Sequence, residues 1–528
     1  MKSQPMTPQH KPATVMVAAI EFAPSATALS EAAASADALY VVAPESGLKD
    51  GSALALLPDP YLPLAEKLAA SAGGSVDGSS SSSTAVGLGS AEKLVLVPLP
   101  EDSSRYYSPT QSMAITGGLH GSGVGSGGGT AVVLVVLADA AHALPAVRGI
   151  ARACPVYSRK TGEASDKAVV VGLATASAPA ELLPSPPTWE LAVAAIRNTA
   201  RINDTPTADM NTREVEAEAR AALDGVPNVT IESIVGDDLL EAGLCAIHAV
   251  GRTSLSPPRL VLLTLTPTDP EAAKQPPVAI VGKGIVYDTG GLNLKGNGGR
   301  GMKDDMSGSG AVLGAFQYLA TAAAAGQELA APLVAALCLA ENSIGPDAYR
   351  PDDILTMHSG KTVEVDNTDA EGRFVVGDGC SWCARELGAK VVIDAATLTG
   401  HSSFTGKTHA AAMASDGPLE QLAVAAGLSS GEHVVPMVFL PEAQGAATSS
   451  PVADMSNTGR SAGMGSAIGG YFIYAQVADV PGIRWLHIDL GDPVGNFGLS
   501  GRATAYGVGL LSTLVEGVLA DEAAGAKL

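Results

Sequence analysis

Aromatic residues are scarce in this chain, at 4% of 528 residues, so its core must be packed mainly with Ala, Val, Leu and Ile. Basic residues are scarce too: 32 Lys and Arg stand against 54 Asp and Glu, a formal charge of −22. Nucleic-acid affinity rests on neutralising phosphates, and no dense Lys/Arg run offsets that charge, so no nucleic-acid partner is expected. The five cysteines, at 154, 245, 338, 380 and 383, are too few and odd in number for a disulfide framework and suit a reducing compartment. The longest apolar runs, 131–138 and 333–340, fall far short of the roughly 20 residues of a spanning helix. The apolar stretch from Ala13 to Ile20 is broken by Glu21 and Pro24 and reads as a β-strand, not a signal peptide. The HExxH pattern is absent and the nine histidines show no ligand spacing, so a conventional histidine zinc site is not expected. The expectation is a cytoplasmic protein with no membrane partner.

What is present is material for a large core: 46% hydrophobic residues and 60 glycines. A chain of this length accommodates about two to four domains. Two low-complexity stretches, Gly73 to Ser90 and Gly117 to Gly129, are rich in Gly and Ser and read as flexible surface loops. Short β-rich runs around them alternate with helical patches, predicting a small α/β domain over residues 1–185. After Pro184, Pro186 and Pro187, Thr188 can cap a helix whose apolar positions Trp189, Ala192, Val193, Ile196 and Ala200 recur at helical spacing. This connector, 186–203, leads into 204–528. There, strands at Val229 to Val235, Leu260 to Thr266, Val278 to Val281, Pro332 to Leu339, Lys390 to Ile393 and Trp485 to Leu490 alternate with helices, including Asp237 to Val250 and Gly308 to Ala320. The predicted fold is α/β: a small N-terminal α/β domain, then a larger catalytic α/β domain with a central mixed sheet, mainly parallel, flanked by helices.

Chemistry concentrates between Val281 and Arg373. A predicted strand runs into Gly282-Lys283-Gly284 and then Asp288-Thr289-Gly290-Gly291. Gly301-Met302-Lys303-Asp304-Asp305-Met306 follows, and far downstream comes Asp366-Asn367-Thr368-Asp369-Ala370-Glu371-Gly372-Arg373. Hard divalent cations take several carboxylate oxygens converging from strand ends and loops. Asp288, Asp305, Asp369 and Glu371 would supply four, and Arg373 adds a planar fork for an oxyanion. Each signal alone has an ordinary explanation. An Asp beside Gly-Gly is usually a turn residue, an Asp-x-Glu-x-Arg run a solvated face or helix N-terminus, and Lys283 a surface lysine.

Together, in order and spacing, these motifs resemble those of the leucyl aminopeptidases, the two-metal cytosolic exopeptidases. Asn367 to Arg373 reads NTDAEGR, the signature of that family, and Lys283, Asp288 and Lys295 occupy its GKG, DxGG and following-lysine positions. The resemblance continues through Ala395 to Gly400, Ala453 to Asn457 and His487 to Asp489, covering roughly 203–528. It implies a metal-dependent aminopeptidase that releases N-terminal amino acids, leucine-like and broadly chosen, from peptides. Lys283, Asp288, Asp305, Asp369 and Glu371 would be ligands of two divalent ions per subunit, zinc or manganese, with magnesium or cobalt as alternatives. Asp288 and Glu371 would bridge the ions, and Asp369 would lend a main-chain oxygen as well. Lys283 would bind as a neutral amine, its pKa pulled down by the two dications. Lys295 would stay protonated against the scissile carbonyl, and Arg373 would anchor bicarbonate as general base. Met302, Asn367, Thr397 and Gly400 would help line the pocket for the first side chain, and Leu398 would offer its carbonyl to the substrate backbone. The resemblance also implies a homohexamer, a dimer of trimers. Phe374 after the signature arginine and Ser307-Gly308-Ser309 depart from the usual Leu and Gly-Gly-Ala, as does a Lys295-to-Asp305 loop one residue short, which leaves pocket shape and preference open.

Two other motifs carry less. Cys380-Ser381-Trp382-Cys383 fits a thiol redox pair, but buried, incidental cysteines are the simpler expectation. Gly123-x-Gly125-x-x-Gly128 lacks the strand–turn–helix context of a dinucleotide site. The alternative function is of another kind, a catalytically inactive relative acting as an assembly or binding scaffold; a complete ligand set argues against it.

Overall fold

A computed structural model describes residues 19–523 except 71–72, 76, 80–81, 86–89, 161–166, 297, 460–464 and 500. The chain builds an α/β fold around two large sheets. The first runs Ala19–Phe22, Ala168–Thr175, Thr130–Leu137, Ala38–Pro44, Lys93–Leu99, Ser82–Ala85, with Ala178–Leu182 paired to Ala168–Thr175. Its strands are parallel except Ser82–Ala85 and Ala178–Leu182. The second sheet has eight strands in the order Val434–Pro436, Ala410–Ala414, Arg484–Asp489, Val391–Ala396, Val278–Asp288, Leu333–Asn342, Arg259–Leu265, Val229–Val235. The four from Arg484–Asp489 to Leu333–Asn342 are mutually parallel, and antiparallel neighbours flank them on both sides. The sheet is thus mixed, as expected from the strand–helix alternation, with its near-continuous apolar runs buried on both faces.

Helix Ser307–Ala324 covers one face of this sheet and Gly372–Arg385 the other. Small residues set the close approach on the first face. A Cβ built at Gly282 would lie 2.6 Å from Ser309 Cα, and one at Gly284 2.6 Å from Ser309 Oγ. Side chains alternate across a strand, so Lys283, between these glycines, points to the opposite face, toward the start of Gly372–Arg385. The connector is the helix Pro187–Asp204. Its Trp189 meets Phe22 of the first sheet edge-on at 5.2 Å, and Thr199 donates to the Gly310 carbonyl in the helix Ser307–Ala324 that covers the second. One hydrophobic cluster therefore runs through both sheets.

Three local expectations are corrected. The connector begins at Pro187 with Pro186 as N-cap and no side-chain cap, so Thr188 lies inside the first turn; proline's fixed φ starts the helix instead. Asp237 to Val250 is not one helix but two, Asp238–Glu241 and Cys245–Gly251, broken at Gly243 with φ +75. The tract 117–129 is not wholly a surface loop, because its beginning belongs to the helix Ser112–Gly121. Gly118 packs there on Val97 and Gly117 on the Asp77 carbonyl so closely that a Cβ would collide. Within the other low-complexity stretch, Ser82–Ala85 forms an edge strand on Lys93–Leu99. Cys380 and Cys383 are buried free thiols inside Gly372–Arg385, and burial raises both.

Candidate active site

The parallel strands of the second sheet deliver their carboxyl ends to one place, the end at which open α/β sheets place their ligands. Val278–Asp288 ends on Asp288, Leu333–Asn342 on Asn342, and Val391–Ala396 runs into Thr397. Glu371 is the N-cap of Gly372–Arg385, where an acid also meets the favourable end of the helix dipole. Gly290 and Gly291, at φ +84 and +61, turn the chain sharply after Asp288, and the Lys295 amide then closes back on the Thr289 carbonyl at 2.9 Å. A side chain would not fit in this turn: a Cβ at Gly290 would lie 2.9 Å from Asp369 Oδ1.

Six charged side chains converge as a result. Lys283 Nζ lies 2.8 Å from Asp305, 2.9 Å from Glu371 Oε1 and 2.9 Å from the Thr397 carbonyl. Lys295 Nζ lies 2.7 Å from Asp288 Oδ2 and 2.6 Å from Asp369 Oδ1. Oxygens of Asp288, Asp369 and Glu371 fall within 4.8 Å of one another, and Lys283 links Asp305 to them. Thr397 Oγ1 donates to Asp305 Oδ1 at 2.9 Å. Burial raises the Asp305, Glu371 and Asp369 carboxyls, Asp305 well above the usual range. Burial alone would depress Lys283, but Asp305, Glu371 and Asp288 outweigh it and hold the ammonium above its ordinary value. Lys295 is held up in the same way by Asp288 and Asp369.

Four carboxylates thus face two ammoniums, an excess of two negative charges in a largely buried space. A chemistry of hard oxygen donors with unbalanced negative charge fits divalent cations, and the two ammonium positions mark where positive charge is held.

Arg373 is buried beside this cluster. Its Nη1 donates to the Asn457 carbonyl at 2.5 Å, while Nε has no hydrogen-bond partner among the described residues. Burial lowers it to about 10, against the pull of Glu371 and Asp489, so it remains cationic at neutral pH with donor capacity to spare. The stretch after Thr397 is clamped by Asp489, whose Oδ1 accepts from the Leu398 amide at 3.1 Å and the Thr399 amide at 3.3 Å. Leu398 is half-buried and Gly400 exposed, with open space where a side chain would project. Asn367 accepts from the Asp369 amide at 2.9 Å. Met302 is half-buried in the turn Met302–Met306 that carries Asp305.

Every residue of the expected set therefore lies on the elements that build this end of the sheet. The polar contacts unite Lys283, Asp288, Lys295, Asp305, Asp369, Glu371 and Thr397; Met302 and Gly400 take no part in them. The expected site set left out Asn342, Asn457 and Asp489, although the last two fall within the resembling stretches Ala453 to Asn457 and His487 to Asp489. Asn457 accepts from the Asp366 and Asn367 amides and donates to the Asn367 carbonyl, fixing the loop before Asp369. Nothing in the sequence pattern singled out Asn342, which lies beyond the predicted strand Pro332 to Leu339 and ends the observed one. His487 is buried and bonded through Nδ1 to Asp394 at 2.5 Å.

Residues 197–512 match the model of the cytosol aminopeptidase family, catalytic domain. The human probable aminopeptidase NPEPL1 is 44% identical over 324 residues, 60% of this chain and 59% of that protein. Leucine aminopeptidase 1 of Caenorhabditis elegans is 40% identical over 325 residues, 61% of this chain and 63% of that protein. The matching region thus spans about three fifths of the length of these curated relatives. Among solved structures, leucyl aminopeptidase from Leishmania major in complex with actinonin superposes with a TM-score of 0.83 at 31% identity, covering 94% of each chain. The Caenorhabditis elegans leucine aminopeptidase superposes with a TM-score of 0.78 at 30% identity, covering 92% of this chain and 96% of that one.

Proposed function

The chain belongs to the cytosol aminopeptidase family, and on that premise we propose that it is a two-metal aminopeptidase, releasing N-terminal residues, leucine-like and broadly chosen, from peptides. The observation that carries this reading is the convergence of Lys283, Asp288, Lys295, Asp305, Asp369 and Glu371 at the carboxyl ends of the parallel strands. Lys283, Asp305 and Glu371 would hold one divalent ion, Asp369 the other, and Asp288 and Glu371 would serve both. Zinc or manganese is the pair we favour, with magnesium or cobalt as alternatives. When bound, such ions polarise a carbonyl and lower the pKa of water. A lysine ligand must be neutral, so loading the site requires Lys283 to give up the proton that its carboxylate neighbours hold when no cation is present.

The protein's own groups supply the rest. Lys295 keeps its proton and faces the scissile carbonyl, where its charge stabilises the oxyanion that develops. Arg373, with an uncommitted Nε, would hold bicarbonate, which would supply a general base there. The Leu398 carbonyl, on the loop clamped by Asp489, receives a substrate backbone N–H. Met302, Asn367, Thr397 and Gly400 line the space for the first side chain. The free α-amine of the substrate enters on the Asp305 side as a lone-pair donor. That requirement restricts cleavage to N-termini.

We also propose residues 1–185, 186–203 and 204–528 as N-terminal domain, connector and catalytic domain, a division supported by sheets drawn from 19–182 and 229–489. The family reading implies a homohexamer in the cytoplasm. Exposed Leu255, Val438 and Val452 offer apolar surface of the kind assembly covers, and no helix among the described residues is long and apolar enough to cross a membrane. An inactive scaffold has no observation in its favour, since no ligand position is lost. The test is cleavage of Leu-Gly-Gly and acetyl-Leu-Gly-Gly with Mn²⁺, with and without a chelator. Chelator-sensitive cleavage of the free peptide alone is expected; comparable kcat/KM for both, or for neither, would refute the proposal.

A further inference from the structure

We infer that Asn342 is a positioning residue that decides which oxygens of Asp288 and Glu371 face the bound cations, an inference that rests on the metallopeptidase reading above. Asn342 is fully buried at the end of Leu333–Asn342, paired with Asp288 across a register shift after Ile285. Such irregularities re-aim side chains next to active sites. Its backbone is held in turn, because its carbonyl accepts from both the amide and the hydroxyl of Thr289, at 3.0 and 2.8 Å. The amide Nδ2 then lies 2.8 Å from Asp288 Oδ1, 3.2 Å from Glu371 Oε2 and 3.0 Å from the Thr368 carbonyl.

The pattern on the two carboxylates is complementary. Asp288 gives Oδ1 to Asn342 and the Gly290 amide, and leaves Oδ2 to Lys295. Glu371 gives Oε2 to Asn342 and leaves Oε1 to Lys283. One neutral side chain therefore turns both acids so that the remaining oxygen points at a position where positive charge is held. Neutrality matters here. A lysine or arginine in the same place would compensate the carboxylates and compete with the metal ions, whereas an aspartate would repel both acids. An apolar residue would leave Glu371 Oε2 without this donor and Asp288 Oδ1 with the Gly290 amide alone, in a buried site where an unmet acceptor is costly. The amide alone fixes geometry while leaving the charge of the site available. The third acceptor, Thr368, lies just before Asp369 and ties the signature loop to the same amide.

The experiment uses the full chain, stripped of metal, with Asn342→Leu as a variant of the same side-chain branching. Mn²⁺ binding is followed by calorimetry, Leu-Gly-Gly hydrolysis at saturating Mn²⁺, and thermal unfolding in the metal-free state. Partners that orient metal ligands typically govern about 10–100-fold in affinity. The expected result is a loss of that size in Mn²⁺ affinity, and a fall in kcat with KM little changed. A variant with the parent's Mn²⁺ affinity would overturn the inference, whatever happens to its melting temperature, because a merely structural role moves only the latter. If Asn342→Leu does not fold, Asn342→Ser decides the matter by the same criterion. A parent chain that binds no Mn²⁺ overturns the metallopeptidase reading and this inference together; a parent that binds Mn²⁺ beside an unaffected variant overturns the inference alone.

Discussion

Gly372→Ala should damage the metal site while leaving the fold in place, and the reason is steric. Gly372 opens the helix Gly372–Arg385, directly above the Lys283 side chain. A Cβ built there would lie 2.5 Å from Lys283 Cε, 2.7 Å from Cδ and 2.8 Å from Nζ. Ordinary carbon–carbon contact begins at about 3.5 Å, so Cε would have to retreat by about 1 Å. On an exposed lysine that movement would cost almost nothing. Here Nζ is fixed by Asp305, Glu371 and the Thr397 carbonyl, all within 2.9 Å, and the stem lies between strand and helix. Overpacking of this kind costs about 1–3 kcal/mol, which taken wholly as lost cation affinity is about 5- to 150-fold. The assay is calorimetric titration of the metal-free chain with Mn²⁺, with kcat/KM for Leu-Gly-Gly in parallel. Gly417→Ala is the control, since that glycine begins another helix and a Cβ there meets nothing within 4 Å. Gly372→Ala with the control's Mn²⁺ affinity and kcat/KM would mean that Lys283 does not occupy a cation position, and the proposed ligand set would lose a member.

Replacing Glu371 or Asp288 by Ala should abolish activity and metal binding at one or both positions, and normal turnover of either variant at saturating Mn²⁺ would contradict the bridging assignment. Arg373→Ala should lower kcat far more than it raises KM, and added bicarbonate should stimulate the parent but not the variant; equal stimulation of both would remove Arg373 from the role. A pH effect is expected far from the site. Burial, with His409 adding repulsion, lowers His433 to about 3, and the ring is packed among Tyr107, His409 and Phe497. An unfolded histidine takes its proton near pH 6.5, so between about 6.5 and about 3 the unfolded chain binds the extra proton and the folded state loses stability as pH falls. That loss amounts to about 2 kcal/mol at pH 5. Between pH 7.5 and 5 the unfolding midpoint of the parent should fall relative to that of His433→Phe, whereas parallel profiles would show that His433 does not carry the effect.

Why the charged residues that converge could be singled out in the sequence while the contacts that support them could not is a matter of where the information sits. The Gly-Lys-Gly run, the Asp-x-Gly-Gly turn and the NTDAEGR signature are short and contiguous. Each carries both its chemistry and its backbone requirement within a few residues. Asn342 is 54 residues from Asp288 and 29 from Glu371, and its role exists only once Leu333–Asn342 lies beside Val278–Asp288 in the observed register. Asp489 is 91 residues from Leu398 and acts because Arg484–Asp489 pairs with Val391–Ala396. The strand order of the sheet, which no local pattern encodes, creates both.

The same distinction explains the misread Gly/Ser tract. Composition at 117–121 looks like a linker, yet Gly117 and Gly118 leave no room for a side chain because Asp77 and Val97 press on them from distant parts of the chain. In the N-terminal region the alternation of strand and helix was legible, but the family match begins only at residue 197. Glycine thus carries opposite meanings in this protein. At Gly290 and Gly291 it supplies a left-handed turn that local sequence announces. At Gly282, Gly284 and Gly372 it clears space for partners that only the tertiary structure names. The second kind governs how rigidly the charged groups are held, so the residues that tune this site are expected among the small and neutral ones around it, Asn342 and Gly372 first, more than among further charges.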